Sequence, residues 1–258
     1  MTPPMLRPLT VGEILDTSFT LCRRHFGPLA TVALVCTGVP LVLRLFLEAS
    51  GGFFENIILG LLYAIALVVL NLVASAATVF IVSESYLGRP LSAREALHRA
   101  TPYVGRILVC SLLMTLVVGL GFILLVVPGV ILGVGLVLAI PAVVLEPGLS
   151  ATAALSRSWD LTRGARWRIF GLGLVLLVLL YVPVVALGGL AALMLPRSGA
   201  MFDGSSSVGV IVALAIGGIV QIFIYPLFYC VLTVLYYDLR VRKEGFDLEL
   251  LASSLQSA

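Results

Sequence analysis

Long runs without a charge alternate along the chain with short segments that hold nearly all of its arginines. The runs lie between Arg24 and Arg44, Glu55 and Glu84, Arg106 and Glu146, Arg168 and Arg197, and Asp203 and Asp238. A bilayer core takes about 20 apolar residues per helix. The third run is about twice that length and holds Val127-Pro128-Gly129 near its middle, which reads as a tight turn between two helices. Six spans are therefore expected, over 26–47, 56–83, 106–126, 129–146, 167–194 and 207–236. The runs are continuously apolar rather than alternating, so they read as helices and not as barrel strands. The expected fold is all-α: a polytopic membrane helix bundle forming one integral membrane domain over residues 1–258, with a tail over 237–258.

The segments between the spans carry a repeat. Leu9-Thr10-Val11-Gly12-Glu13-Ile14-Leu15 parallels Leu91-Ser92-Ala93-Arg94-Glu95-Ala96-Leu97 and Leu149-Ser150-Ala151-Thr152-Ala153-Ala154-Leu155. The first and third copies stay in register, with Ser18-Phe19-Thr20-Leu21-Cys22-Arg23 opposite Ser158-Trp159-Asp160-Leu161-Thr162-Arg163. Each copy precedes a pair of spans, which predicts three units of amphipathic helix, span, turn and span. Thr10 with Glu13, and Ser92 with Glu95, fit the capping box; Ser150 can cap the third copy, where Ala153 breaks the box. In the first copy Val11, Ile14, Leu15, Phe19 and Cys22 share one face. Such a helix either lies in the interface, apolar face down, or packs on the bundle as an elbow.

The basic residues orient the bundle. Arg44 and Arg197 lie on one side, and the other fourteen of the sixteen lysines and arginines lie on the other. This asymmetry predicts cytoplasmic termini and cytoplasmic long loops, with short outer connections at 48–55, at Pro128 and at 196–206. The segment Met1 to Thr10 holds three prolines and lacks the pattern of a cleaved signal, so the first span is expected to remain.

Composition agrees with lipid as the main solvent. The chain is 60% hydrophobic and 11% charged, with a mean hydropathy of +1.16. A soluble domain carries about a quarter charged residues. Cys22, Cys36, Cys110 and Cys230 form no CxxC pair and read as small buried hydrophobes.

No HExxH, Walker loop or GxSxG motif is present, and the two histidines are His25 and His98. Gly119-Leu120-Gly121 lies inside a span and reads as packing glycine. Glu84, Glu146 and Asp160 are expected near the inner interface beside arginines. No charge falls near the middle of a span, which argues against an ion-coupled pump. Asn71 and Gln221 are the candidate intramembrane polar residues, able to bond to one another between helices or to line a pathway. Gly129 with Gly133, and Gly209, Ala213 and Gly217, offer close-packing faces, and Pro141, Pro183 and Pro226 are candidate kinks. Phe19, Arg23, Arg24, Arg106, Trp159, Arg163, Arg166, Trp167 and Arg168 are the candidate interfacial, lipid-facing residues.

Three stretches resemble a known family. They are Leu6-Arg7-Pro8-Leu9-Thr10-Val11-Gly12-Glu13-Ile14-Leu15-Asp16; Glu146-Pro147-Gly148 with Ala154-Leu155-Ser156-Arg157-Ser158-Trp159-Asp160-Leu161-Thr162-Arg163-Gly164; and Tyr236-Tyr237-Asp238-Leu239-Arg240-Val241-Arg242-Lys243-Glu244-Gly245. Together they resemble the membrane domain of bacterial glycerophosphoryl diester phosphodiesterases. The resemblance implies the membrane part alone and carries no catalytic residue to any position here. The expectation is a non-enzymatic protein of the bacterial inner membrane without cofactor, metal or nucleic-acid partner. It would organise membrane lipid, anionic lipid included, or hold a protein partner or a second copy through its amphipathic helices. A transporter or channel for a small or lipidic solute is the alternative.

Overall fold

The computed structural model describes residues 7–49, 57–194 and 207–246. The connection expected at 48–55 beyond its first two residues, the whole of that expected at 196–206, and the tail beyond Phe246 lie outside the described residues. The described chain is helical, without a strand. Its elements are α1 (Val11–Arg24), α2 (Phe26–Ala33), a π turn (Leu34–Gly38), α3 (Val39–Ala49), α4 (Ile57–Tyr86), α5 (Ala93–Ala100), a 3-10 turn (Thr101–Tyr103), α6 (Val104–Leu124), α7 (Val126–Leu136), α8 (Ala139–Leu145), α9 (Ala151–Thr162), α10 (Arg166–Met194) and α11 (Ser207–Glu244). Five helical runs among the described residues are long and apolar enough to cross a membrane, and α10, turned 99° from α9, makes a sixth with it.

Each repeat opens with a capped short helix. Thr10 Oγ1 accepts from the Glu13 N–H at 3.3 Å, and the Glu13 carboxylate accepts from the Thr10 N–H at 2.7 Å, closing a full capping box. Ser92 and Ser150 each accept from the backbone N–H three residues on. The second box expected at Ser92 and Glu95 is not closed, because the Glu95 carboxylate pairs with Arg99 at 2.9 Å instead. Positions four and eight after each cap are fully buried in all three copies: Ile14 and Ser18, Ala96 and Ala100, Ala154 and Ser158. Residues four apart share one helix face, so the three short helices present the same face to the bundle. They are elbows packed on it.

The spans show where prolines act. Pro40 has no N–H to give to the carbonyl four residues back. The preceding turn widens, with the Val39 N–H reaching the Leu34 carbonyl five residues back, and the first span crosses as α2, π turn and α3. The turn expected at Pro128 falls instead at Leu125, the one extended residue between α6 and α7. Pro128 sits in the first turn of α7, where a missing N–H costs nothing. The hairpin is tight because Gly121 faces Gly129: a Cβ on Gly121 would lie 3.0 Å from the Gly129 Cα. Pro141 does not kink a continuous helix; it stands in the first turn of α8, after a break at Val137 and Leu138. Pro226 lies within α11, which runs through it. The last helix also continues beyond 236 to Glu244, into what sequence alone assigns to the tail.

The break between α7 and α8 is patched by α9. Ser158 Oγ accepts from the Leu138 N–H at 3.1 Å and donates to the Gly135 carbonyl at 2.9 Å. Thr162 Oγ1 donates to the same carbonyl at 3.1 Å. Backbone groups freed inside an apolar bundle must find partners, and the two hydroxyls supply them. The core centres on α4, whose run Ala74 to Val79 is buried against its neighbours. Small residues there let helix backbones approach closely.

Candidate functional site

The three stretches that carry the family resemblance meet at the arginine-rich end of the bundle. Asp238, on the last turns of α11, has a fully buried side chain. Its Oδ1 accepts from the Leu9 N–H at 2.7 Å, and its Oδ2 accepts from Arg168 Nη1 at 2.9 Å. Arg242 Nε reaches both carboxylate oxygens at 3.1 and 3.2 Å. Arg168 and Arg242 also each donate an Nη2 to the Leu9 carbonyl. One peptide segment of the N-terminus is thus held at both its N–H and its C=O by a carboxylate and two guanidiniums. Removing a buried ion's partner costs several kcal/mol, so the clasp ties the first repeat to the last.

A second cluster lies beside it. Arg157 on α9 donates to Glu146 at 2.7 Å and to both oxygens of Glu244. Tyr236 donates its hydroxyl to Glu146 at 2.5 Å, and Arg240 joins Glu244 at 3.1 Å. Lys243 Nζ donates to the backbone carbonyls of Asp160 and Arg163, the last of which caps α9. Ser83 and Tyr237 share a buried hydrogen bond of 2.6 Å between α4 and α11. At the rim, hydrogen bonds from Thr10, and secondarily Arg7, hold the Glu13 carboxyl down at about 2.

The candidate residues divide. Arg168 is drawn into the clasp, although sequence alone places it facing lipid. Arg23, Arg24, Arg106 and Arg163 are exposed and form no ion pair among the described residues; Arg89 and Arg94 share that state. Arg23 and Arg24 close the last turn of α1, where positive charge suits the helix dipole. Phe19 is 45% exposed and Trp167 is 87% exposed, with its ring edge-on to Phe170. Trp159 is half-buried, seated where a Cβ on Gly135 would lie 2.5 Å from its ring, and the Arg166 guanidinium stacks 3.7 Å from its ring centre.

The two amides do not meet. Asn71 donates its side-chain amide to the Leu67 carbonyl of its own helix at 2.9 Å, and Tyr225 Oη reaches the Asn71 carbonyl from α11 at 2.7 Å. Gln221 is exposed and borders a cavity of about 460 Å³ with Tyr181, Tyr225 and Tyr229. That cavity, a groove between α7 and α10, and a third along α3 are bordered by no carboxylate, histidine or cysteine among the described residues. No group of three His, Cys, Asp or Glu residues able to hold a metal occurs among the described residues. Sequence reasoning passed over the clasp because its members lie 70 and 229 residues apart. The available signal was that each resembling stretch carries a charge beside a span.

The architecture is that of a multi-pass, all-helical membrane protein that gathers its charged groups at one end, some paired in the two clusters and others exposed. The chain belongs to the family described as the membrane domain of glycerophosphoryl diester phosphodiesterase, whose model matches residues 107–253, more than half of its length. The match is to the membrane domain and not to the catalytic one. No curated protein and no solved structure matches the chain.

Proposed function

We propose that this chain is a non-enzymatic protein of the bacterial cytoplasmic membrane, with both termini in the cytoplasm, that gathers anionic phospholipid around its basic end. The supporting observation is how its arginines are sorted. Arg157, Arg168, Arg240 and Arg242 use up Asp238, Glu146 and Glu244. Arg23, Arg24, Arg89, Arg94, Arg106 and Arg163 stay exposed without carboxylates. Each basic residue beside a membrane surface attracts anionic lipid by about 1 kcal/mol, less at high salt. Ile14, Ala96, Ala100 and Ala154 pack inward, and at this end six unpaired arginines face outward against the two unpaired carboxylates Asp16 and Asp160, which leaves the rim positive. The protein is reconstituted in nanodiscs from an equal mixture of phosphatidylethanolamine and phosphatidylglycerol. Discs holding protein are expected to be richer in phosphatidylglycerol than empty discs. The excess should shrink with salt and disappear when Arg23, Arg24, Arg94 and Arg106 are all replaced by Gln. Equal phosphatidylglycerol in filled and empty discs would refute the proposal.

The cavity at Gln221 supports a second reading, a passage for a small or lipidic solute. Below the cavity, Leu227 and the segment from Tyr229 to Leu239 on α11 are buried without a gap. A passage therefore requires α11 to separate from α4. Disulfide-trapping of engineered cysteine pairs across α4 and α11, combined with solute flux from vesicles, tests it: flux unaffected by the crosslink excludes this route.

A further inference from the structure

We infer that the groove between α7 and α10 is a binding site for one anionic phospholipid, with an acyl chain along the groove and the phosphate on Arg166; this rests on the lipid-gathering reading above. The groove holds about 490 Å³ and is lined by Val126, Val127, Val130, Ile131, Val134 and Phe170, with Arg166 and Trp167 at one end. Between Val126 and Val134 α7 advances about 12 Å. One leaflet of the hydrocarbon core is about 15 Å deep. The groove therefore matches the depth of a single acyl chain rather than that of a soluble ligand.

The end of the groove is built to hold a negative charge. Gly135 leaves the space that Trp159 fills, and the Trp159 ring fixes Arg166 from one face at 3.7 Å. Arg166 Nε is buried and has no hydrogen-bond partner among the described residues. Arg166 borders the groove and forms no ion pair among the described residues, so a phosphate meeting its guanidinium supplies the charged acceptor that the protein does not. Arg163 stands exposed three residues earlier, and no carboxylate borders the groove. A headgroup with a net negative charge is attracted to Arg166, whereas the amine of a zwitterionic headgroup meets a guanidinium of like charge. Trp167, at the mouth, suits the headgroup boundary that indole rings favour.

Trp159 and Trp167 are the only tryptophans, so their fluorescence reports on this site. In the Trp159→Phe variant the remaining indole, Trp167, is titrated in vesicles with brominated phosphatidylglycerol against unlabelled phosphatidylcholine, and then with the labels exchanged. The expected result is stronger quenching by the anionic lipid, equivalent to a preference of about fivefold from a single guanidinium. Arg166→Gln should bring the two lipids to parity, and Arg166→Lys should restore part of the preference. Val130→Trp, with both native tryptophans replaced by Phe, should place its indole in the groove and be quenched by bromines carried deep on the acyl chain. Parity in the Trp159→Phe protein, or a preference untouched by Arg166→Gln, would overturn the site. Parity at Trp167 in discs still enriched in phosphatidylglycerol would sink this site alone. Absence of enrichment with a preference retained at Trp167 would sink the rim and leave the groove.

Discussion

The two halves of the bundle along its long axis are built differently. At the basic half, α4 is buried from Ala74 to Val79, and α11 is buried from Tyr229 to Leu239. At the far half α4 is bare: Ile57 is 85% exposed, and Leu61, Leu62 and Ile65 also face outward. Lipid tails are as apolar as leucine, so side chains in the hydrocarbon gain little by turning inward. At the basic end water competes for every backbone and charged group. There the chain answers with paired ions, and just inside that end, away from water, with small residues and the one patched helix break. Stability is therefore concentrated where the bundle leaves the membrane, and the far half takes its surroundings from lipid.

Substitutions can break this contrast in order of size. Asp238→Ala leaves Arg168, Arg242 and the Leu9 N–H without their common acceptor, and is expected to cost about 3–5 kcal/mol, read as a fall in the thermal midpoint in one detergent. Ala76→Leu forces bulk into the closed core of α4 and should cost about 1–3 kcal/mol by the same assay. Thr10→Ala removes one side of the capping box and should cost about 1 kcal/mol. The partner in that box also sharpens the pH response. Glu13 has its pKa lowered from 4.5 to about 2, so its contribution is complete above pH 4.5 and is lost as the pH falls through about 2. A Glu13→Gln protein should lack that acid-side loss. Leu61→Ala, in the bare half, should change stability by less than about 0.5 kcal/mol. A large loss at Leu61 would erase the distinction between the halves.

Much of this fold was written in local signals. Charges bracket the spans, and Thr10, Ser92 and Ser150 announce the short helices they cap. Where local signals have two meanings, the expectation slipped. Pro-Gly at 128 and 129 marks a turn in one context and a helix start in another, and the extended residue proved to be Leu125. Glu95 could close a box or pair along the helix, and the arginine one turn on decided it. The candidate site was legible in part. Trp159, Arg166 and Trp167 stood out as interfacial types, but their arrangement depends on Gly135, a glycine in another span with no local mark. The clasp was hidden for a similar reason. One of its partners is the backbone of Leu9, and a backbone carries no residue-type signal.

The grip on Leu9 also sets an order in time. Leu9 and Asp238 are 229 residues apart. At the roughly 5–20 residues per second of protein synthesis, tens of seconds separate their appearance at the ribosome. Until α11 arrives, α1 lacks its carboxylate and the largest part of its packing surface, and an amphipathic helix so exposed rests on the membrane surface. The last helix therefore acts as a latch that closes after all else is inserted.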